Sequence, residues 1–331
     1  ALTDSVLIPP TLDNDGDVLY PNRPMRVQFN TNGLELSFLQ ALFPKVKNLN
    51  GLLTFNIAAE NTPSHLQPVG FLRIDNAGFA IPKYGIHYKD IQLSALIDTS
   101  FIHLQNFEMS SGDGTLTAEG RMEFTREAIS GIEASLRAKK FLVMHNRDAD
   151  LRINSDVRVG GTIEQAGFAG DLTVVRSRFF LPALQPTTVM QVEERLPKQA
   201  AADCTGVATN RVGRLLRNSY GELRVIIPRN TWLRGPELNV EVEGELNLVI
   251  DGDSFLLFGP IAVVRGTYEL YGNKFTIDQG SLTFQGNKDN VPEINLEASR
   301  VFRNAITKDK QVIRVTITGR TDAPKIAFQL D

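Results

Sequence analysis

Between Leu238 and Ile250 apolar and polar residues alternate almost without fault, and this alternation constrains the fold more than any other feature of the chain. Leu238, Val240, Val242, Leu246, Leu248 and Ile250 occupy one parity, with Gly244 in the remaining place. Asn239, Glu241, Glu243, Glu245 and Asn247 occupy the other. Successive side chains on a strand leave opposite faces, so this is a strand with one apolar and one charged face. Asp251-Gly252-Asp253-Ser254 then signals a turn. After the run Gly259–Tyr271, two further strands are predicted, Lys274–Ile277 and Ser281–Phe284, with a turn at Asp278-Gln279-Gly280 between them.

A glycine-led pattern occurs three times, at Gly70–Pro82, Gly170–Pro182 and from Gly259. Each copy places apolar residues two, four, nine and eleven positions after its glycine. They are Leu72, Ile74, Phe79 and Ile81, then Leu172, Val174, Phe179 and Leu181, then Ile261, Val263, Tyr268 and Leu270. Parity changes between the second and third of these, and a strand that changes parity has to bulge or turn to keep its apolar side chains on one face. The shared change argues for one repeated supersecondary unit.

The chain has 331 residues and a formal charge of -3, a balance that gives no electrostatic case for nucleic acid. Its 42% hydrophobic content excludes wholesale disorder. No apolar run is long enough for a membrane-spanning helix. Cys204 is the only cysteine, so no internal disulfide forms. The chain starts at Ala1 and stops on the alternating strand Ile326–Leu330, which reads as a segment cut from a longer protein.

Short alternating segments punctuated by Gly, Asn and Asp run through most of the chain and predict an all-β protein. Residues 1–33 read as extended N-terminal strands. Residues 34–48 hold one short amphipathic helix, with Leu34, Phe38, Leu39, Leu42 and Phe43 at helical spacing before Pro44, suited to capping the end of a sheet. Residues 49–184 are strand repeats, 185–219 a polar, mobile insertion, and 220–331 a second run of strands.

One long motif carries a family resemblance. The run Gly259-Pro-Ile-Ala-Val-Val-Arg-Gly-Thr-Tyr-Glu-Leu-Tyr271, continued by Gly272–Gly286, resembles the C-terminal region of the TamB family, the translocation and assembly module subunits. Val291–Arg300, Gly319–Phe328 and, further back, Ser110–Gly120 share its cadence, and the resemblance reaches to about Leu34. That family is AsmA-like and related to the bridge-like lipid-transfer proteins. The resemblance implies an elongated, bent β-sheet groove, a β-taco, with a hydrophobic concave interior. It implies a periplasmic protein anchored in the inner membrane by a segment absent here. It also implies phospholipid conduction between inner and outer membranes, assistance to outer-membrane β-barrel assembly, and a TamA-type outer-membrane barrel as partner.

The residues give a separate reason to think of a groove. A sheet that is apolar on one face must bury that face, and helical partners are nearly absent here. The rows that would line a groove and bind phospholipid acyl chains include Leu116, Met122 and Phe124, then Val240, Val242, Leu246, Leu248, Leu270, Phe284, Leu296, Ile313, Val315 and Ile317. The bland alternative is a closed sandwich or solenoid core built from the same rows. No cofactor is implied, and enzymatic function is not expected. His65, His87, His103 and His145 are scattered, and Ser110, Ser111 and Ser219 lack a nucleophile-elbow context. Three classes of function are open: a lipid conduit, a scaffold offering sheet edges to nascent strands, and an inert β-solenoid or adhesin.

Overall fold

A computed structural model of the chain describes residues 11–12, 18–19, 25–61, 67–124, 129–162, 165–180, 219–252, 254–270, 272–303 and 309–330. The insertion expected at 185–219 therefore lies outside the described residues, apart from Ser219, as do His65 and Cys204. The described chain is all-β and forms two compact units. The first comprises Ala1–Asn146 and Asp150–Val175, the second Arg147–Ala149 and Arg176–Asp331.

In the first unit, the two-residue strands β1 (Thr11–Leu12) and β2 (Val18–Leu19) pair with each other. The main sheet there contains β3 (Met25–Glu35), β4 (Lys47–Asn61), β5 (Gln67–Ile81), β6 (Ile86–Ile97), β7 (Phe101–Ser111), β8 (Gly114–Phe124), β9 (Ile129–His145), β10 (Ala149–Gly161) and β11 (Ala166–Phe180), with β11 entering the second unit at Arg176. The second unit contains β12 (Tyr220–Arg234), β13 (Leu238–Asp251), β14 (Ser254–Leu270), β15 (Asn273–Gln285), β16 (Glu293–Arg303), β17 (Lys310–Arg320) and β18 (Lys325–Leu330). Within each unit, strand order in the sheet follows chain order. Each neighbour is reached by a short connection, which is why the pairs from β3 to β10 and from β12 to β18 are antiparallel.

The registers turn alternation along each strand into continuous faces across strands. In the second unit Gly244, Ile261, Leu282, Ile294 and Gly319 form one cross-strand line. One residue along, Glu243, Ala262, Ser281, Asn295, Thr318 and Lys325 form the next, on the opposite face. In the first unit Phe29, Ile57, Gly70, Ile97, Ile102, Met122, Ile132 and Gly161 are aligned across eight strands. The adjacent outer line runs Asn56, Phe71, Leu96, His103, Arg121 and Glu133.

The three glycine-led copies lie on single long strands, β5 as far as Ile81, β11 as far as Phe180 and β14 as far as Leu270, and Leu181 lies outside the described residues. In the first copy the parity change coincides with register shifts between Ile74 and Phe79. In the third it coincides with a shift at Glu241/Val242, opposite Arg265 and Val263. The expected break at Asp278-Gln279-Gly280 is likewise a bulge inside β15, between Ile277 and Gln279. An Asp-Gln-Gly run reads locally as a turn, but the ladder on either side absorbs it as one extra residue. The leading glycines have a common geometric cause. A Cβ at Gly70, Gly170 or Gly259 would strike the carbonyl oxygen of Asn56, Asp156 or Glu245 on the preceding strand, in every copy the residue fourteen positions earlier.

The expected amphipathic helix is a shorter 3-10 segment, Leu36–Leu42, and Leu34 and Glu35 belong to β3. It has no side-chain N-cap and only seven residues before Pro44, too few for a cooperative α-helix. Leu36 anchors it against Ala77 and Ile91, and Gln40 ties the following loop by donating to the Val46 carbonyl and accepting from Leu49 N–H. Phe38, Leu42 and Phe43 are exposed.

The repeat geometry predicts unequal tolerance to alanine. Gly259 sits at φ 121°, where a Cβ would lie 2.6 Å from the Glu245 oxygen, whereas a Cβ at Gly131 would come no nearer than 3.8 Å to a side chain. Gly259→Ala lowers stability by about 1–3 kcal/mol, and Gly131→Ala leaves it within about 0.5 kcal/mol. Urea denaturation measures both, and equal midpoints for the two variants would refute this account of the glycine.

Candidate functional site

The apolar faces are the most extended feature of the described sheet. Among the described residues no group of three or more His, Cys, Asp or Glu side chains could hold a metal ion. Asp150 lies 3.7 Å from His145 Nδ1 but is engaged at 2.7 Å by Arg152.

In the first unit the sheet bends. Tyr88 on β6 stacks on Phe141 of β9, with ring centroids 5.6 Å apart and planes inclined by 10°. Three flat strand spacings would separate β6 from β9 by about 14 Å. Phe79 meets Tyr88 edge-on at 5.0 Å, and Ser111 on β7 donates to the Leu142 carbonyl at 2.8 Å. Around this fold-over Ala80, Ile86, Phe141 and Leu142 are buried. Elsewhere on the sheet the apolar line is only half-covered: Ile57, Ile97, Ile102, Met122 and Ile132 all retain intermediate exposure. So do Leu72, Leu104 and Val159 in the neighbouring line, while Phe29 at the β3 edge is exposed.

The second unit likewise has a half-covered line, through Ile261, Leu282 and Ile294, beside a packed patch. Val240, Val242, Phe275, Ile277, Leu296, Ala298, Val315 and Ile317 form one buried cluster. Val242 is 2% exposed and Val315 1%. Neighbours within one sheet layer leave the tips of such side chains open, so this face is rolled onto itself. Yet beside Val315, its cross-strand partner Phe328 on β18 is 60% exposed.

The residues singled out from the sequence fall accordingly. Leu116, Met122 and Phe124 lie on β8, half-buried, in the first unit. Val240, Val242, Leu296, Val315 and Ile317 come together in the buried cluster, with Ile313 packed against it. Leu246 is buried on β13, and Leu248 and Phe284 are half-buried. Leu270 belongs to β14, but its side chain lies outside the described residues. Sequence reasoning left out Phe275, Ile277 and Ala298. All three obey period two, the signal that would have found them.

On the polar face of the second unit one carboxylate is nearly enclosed. Glu241, with a side chain 4% exposed, accepts from Asn230 N–H at 2.8 Å and from Arg265 Nε at 2.5 Å. Asn230 stands at φ 75° in the bulge of β12 between Ile227 and Thr231. Glu241 therefore pins that bulge and bridges β12 to β14. Arg229 pairs with Glu243 at 2.8 Å, and Arg234 and Arg265 both lie over Trp232. The Asn230 amide, and then Arg265, hold the Glu241 carboxyl below the usual glutamate range.

Comparison with known proteins matches residues 105–331 to the family model for the TamB C-terminal domain. The chain belongs to the TamB family. It is 21% identical over 319 residues to the translocation and assembly module subunit TamB of Haemophilus influenzae, a match covering 94% of this chain. The chain spans about a quarter, 24%, of that relative's length. Among the described residues no helix is long and apolar enough to cross a membrane.

The Glu241 contacts predict a pH signature. A carboxyl with a depressed folded-state pKa adds stability above its unfolded value, about 4.3, and loses it as pH falls through the folded value. Wild type is therefore more stable than Glu241→Gln at neutral pH, and the gap narrows on acidification to pH of about 3. Urea midpoints at the two pH values check this, and a gap that stays constant would contradict it.

Proposed function

We propose that this chain is a non-catalytic periplasmic segment of a TamB-type protein that conducts phospholipids between the inner and outer membranes along its apolar face. The observation that supports this is the half-exposed apolar line of the first unit, which continues from Ile57 through Ile97, Ile102 and Met122 to Ile132. An aliphatic wall suits a sliding acyl chain because each contact is weak and undirected. Relative to water, covering two tails of about fifteen carbons is worth up to about 24 kcal/mol at about 0.8 kcal/mol per CH₂. A wall only has to approach what the bilayer offers for transfer to become feasible. The anchor in the inner membrane and the TamA-type barrel belong to the same proposal, as properties of the longer protein.

A second reading is favoured by β18. It is paired on one side with β17, and Ile326, Phe328 and Leu330 project from it with exposures of 46%, 60% and 62%. An edge strand with a bare apolar row suits strand addition, the mode by which a scaffold for outer-membrane β-barrel proteins would hold a nascent strand.

Detergent-free purification from the cell envelope followed by mass spectrometry separates the two. The conduit reading predicts bound phospholipid that is lost in Met122→Asp, a half-exposed position where a charge leaves folding intact. Wild-type protein free of lipid, or lipid retained equally in Met122→Asp, would contradict it. Site-specific crosslinks from β18 to unfolded barrel proteins would favour the scaffold.

A further inference from the structure

We propose that the connection between β3 and β4 is a membrane-docking finger, which seats Phe38, Leu42 and Phe43 in the interface of an anionic bilayer with Lys45, Lys47 and Lys83 around them. It lies at a rim of the first unit and does not depend on the conduit reading. Capping the sheet needs only one side of the 3-10 segment, and Leu36 and Leu39 supply it against Ala77 and Ile91. Phe38, Leu42 and Phe43 are left over, 56%, 69% and 51% exposed. A lone exposed hydrophobic residue is ordinary on a protein surface, but three large ones between positions 38 and 43 form a patch. Their exposure is held in place. Phe43 N–H donates to the Gln40 carbonyl at 3.2 Å and Val46 N–H to the Phe43 carbonyl at 3.0 Å, while the Gln40 side chain ties Val46 to Leu49. A loop braced in this way presents its apolar side chains outward and does not fold them in.

Charge selects the partner. Lys47 is paired with Ala80, so the start of β4 lies beside the turn Pro82–Tyr84 that follows β5. Both connections leave the sheet at the same end of the strands. Residues 36–48 and 81–88 carry Lys45, Lys47 and Lys83 and no Asp or Glu, although the chain as a whole has a formal charge of -3. Glu35, at the base of the finger, accepts from Ser37 Oγ. Lys83 Nζ stands 5.5 Å from the centre of the Tyr84 ring, and Tyr84 is 37% exposed. An apolar tip with lysines and a tyrosine behind it matches the layers of an anionic bilayer surface. Phe and Leu enter the acyl boundary, Tyr sits at headgroup level, and the ammonium groups meet phosphates. The tip offers little to a protein partner that reads hydrogen bonds, because its one side-chain amide, Gln40, is already engaged within the loop.

Flotation of the full 331-residue chain with phosphatidylethanolamine/phosphatidylglycerol vesicles tests the finger, with phosphatidylcholine vesicles as the uncharged comparison. The chain is expected to float with the anionic vesicles and more weakly with the uncharged ones. Phe38→Ser/Leu42→Ser lowers the apparent affinity at least about tenfold. Lys45→Gln/Lys47→Gln lowers it about fivefold for each charge removed and flattens its dependence on salt. A polarity-sensitive dye on Leu42→Cys, in a chain carrying Cys204→Ser, shifts to the blue on the anionic vesicles. This readout keeps the test decisive should the double serine variant fail to fold. Absence of flotation, equal flotation of the folded serine variant, or a dye that stays in water would each overturn the proposal. So would a wild-type dimer that Phe38→Ser/Leu42→Ser dissolves, which would give the finger to a second copy of the chain. Co-purified phospholipid reports on the conduit and flotation on the finger, so the two readings fail separately.

Discussion

A sheet with one apolar face and, among the described residues, no helical layer has to cover that face with itself, and the rest of the described structure follows from that constraint. Burial on one side is what each strand's alternation demands. Antiparallel neighbours in chain order extend the demand across every strand of a unit, because cross-strand partners share a face. The stack of Tyr88 on Phe141 in the first unit and the Val242–Val315 cluster in the second are two outcomes of the same requirement. One covers part of the face, and the other covers a patch completely.

Glycines and bulges supply the bending. The glycines that lead the three repeat copies stand where a neighbouring carbonyl leaves no room for a Cβ, and a parity change follows each of them. In the first and third copies the change is a register shift that keeps the apolar side chains on one face. Glu241 does comparable work from the polar side. Its two acceptor contacts fix the β12 bulge without any ionic group entering the apolar cluster.

Much of this was legible in the sequence because period two is local. The limits of β13 follow directly from the alternation Leu238–Ile250, and the membership of Val240, Val242, Leu296, Val315 and Ile317 on apolar faces follows likewise. What sequence could not supply was register. The line joining Ile97 to Ile102, Met122 and Ile132 depends on how four strands slide against one another. The split expected at Asp278–Gly280 failed for the same reason, since only the ladder with β16 distinguishes a bulge from a turn. The 3-10 form of Leu36–Leu42 was hidden too, because apolar spacing over two turns fits either helix. Nor does alternation say whether a face ends half-open, as at Met122, or sealed, as at Val315.

The proposed lipid path rests on the membership in the TamB family and on the half-exposed apolar line of the first unit. The most direct test is an experimental structure of the chain with a native phospholipid bound. The account predicts acyl-chain density against Ile97, Ile102, Met122 and Ile132, with the headgroup towards solvent. Lipid density confined to the polar face beside His103 and Arg121, or a first-unit face sealed as tightly as Val315, would contradict it.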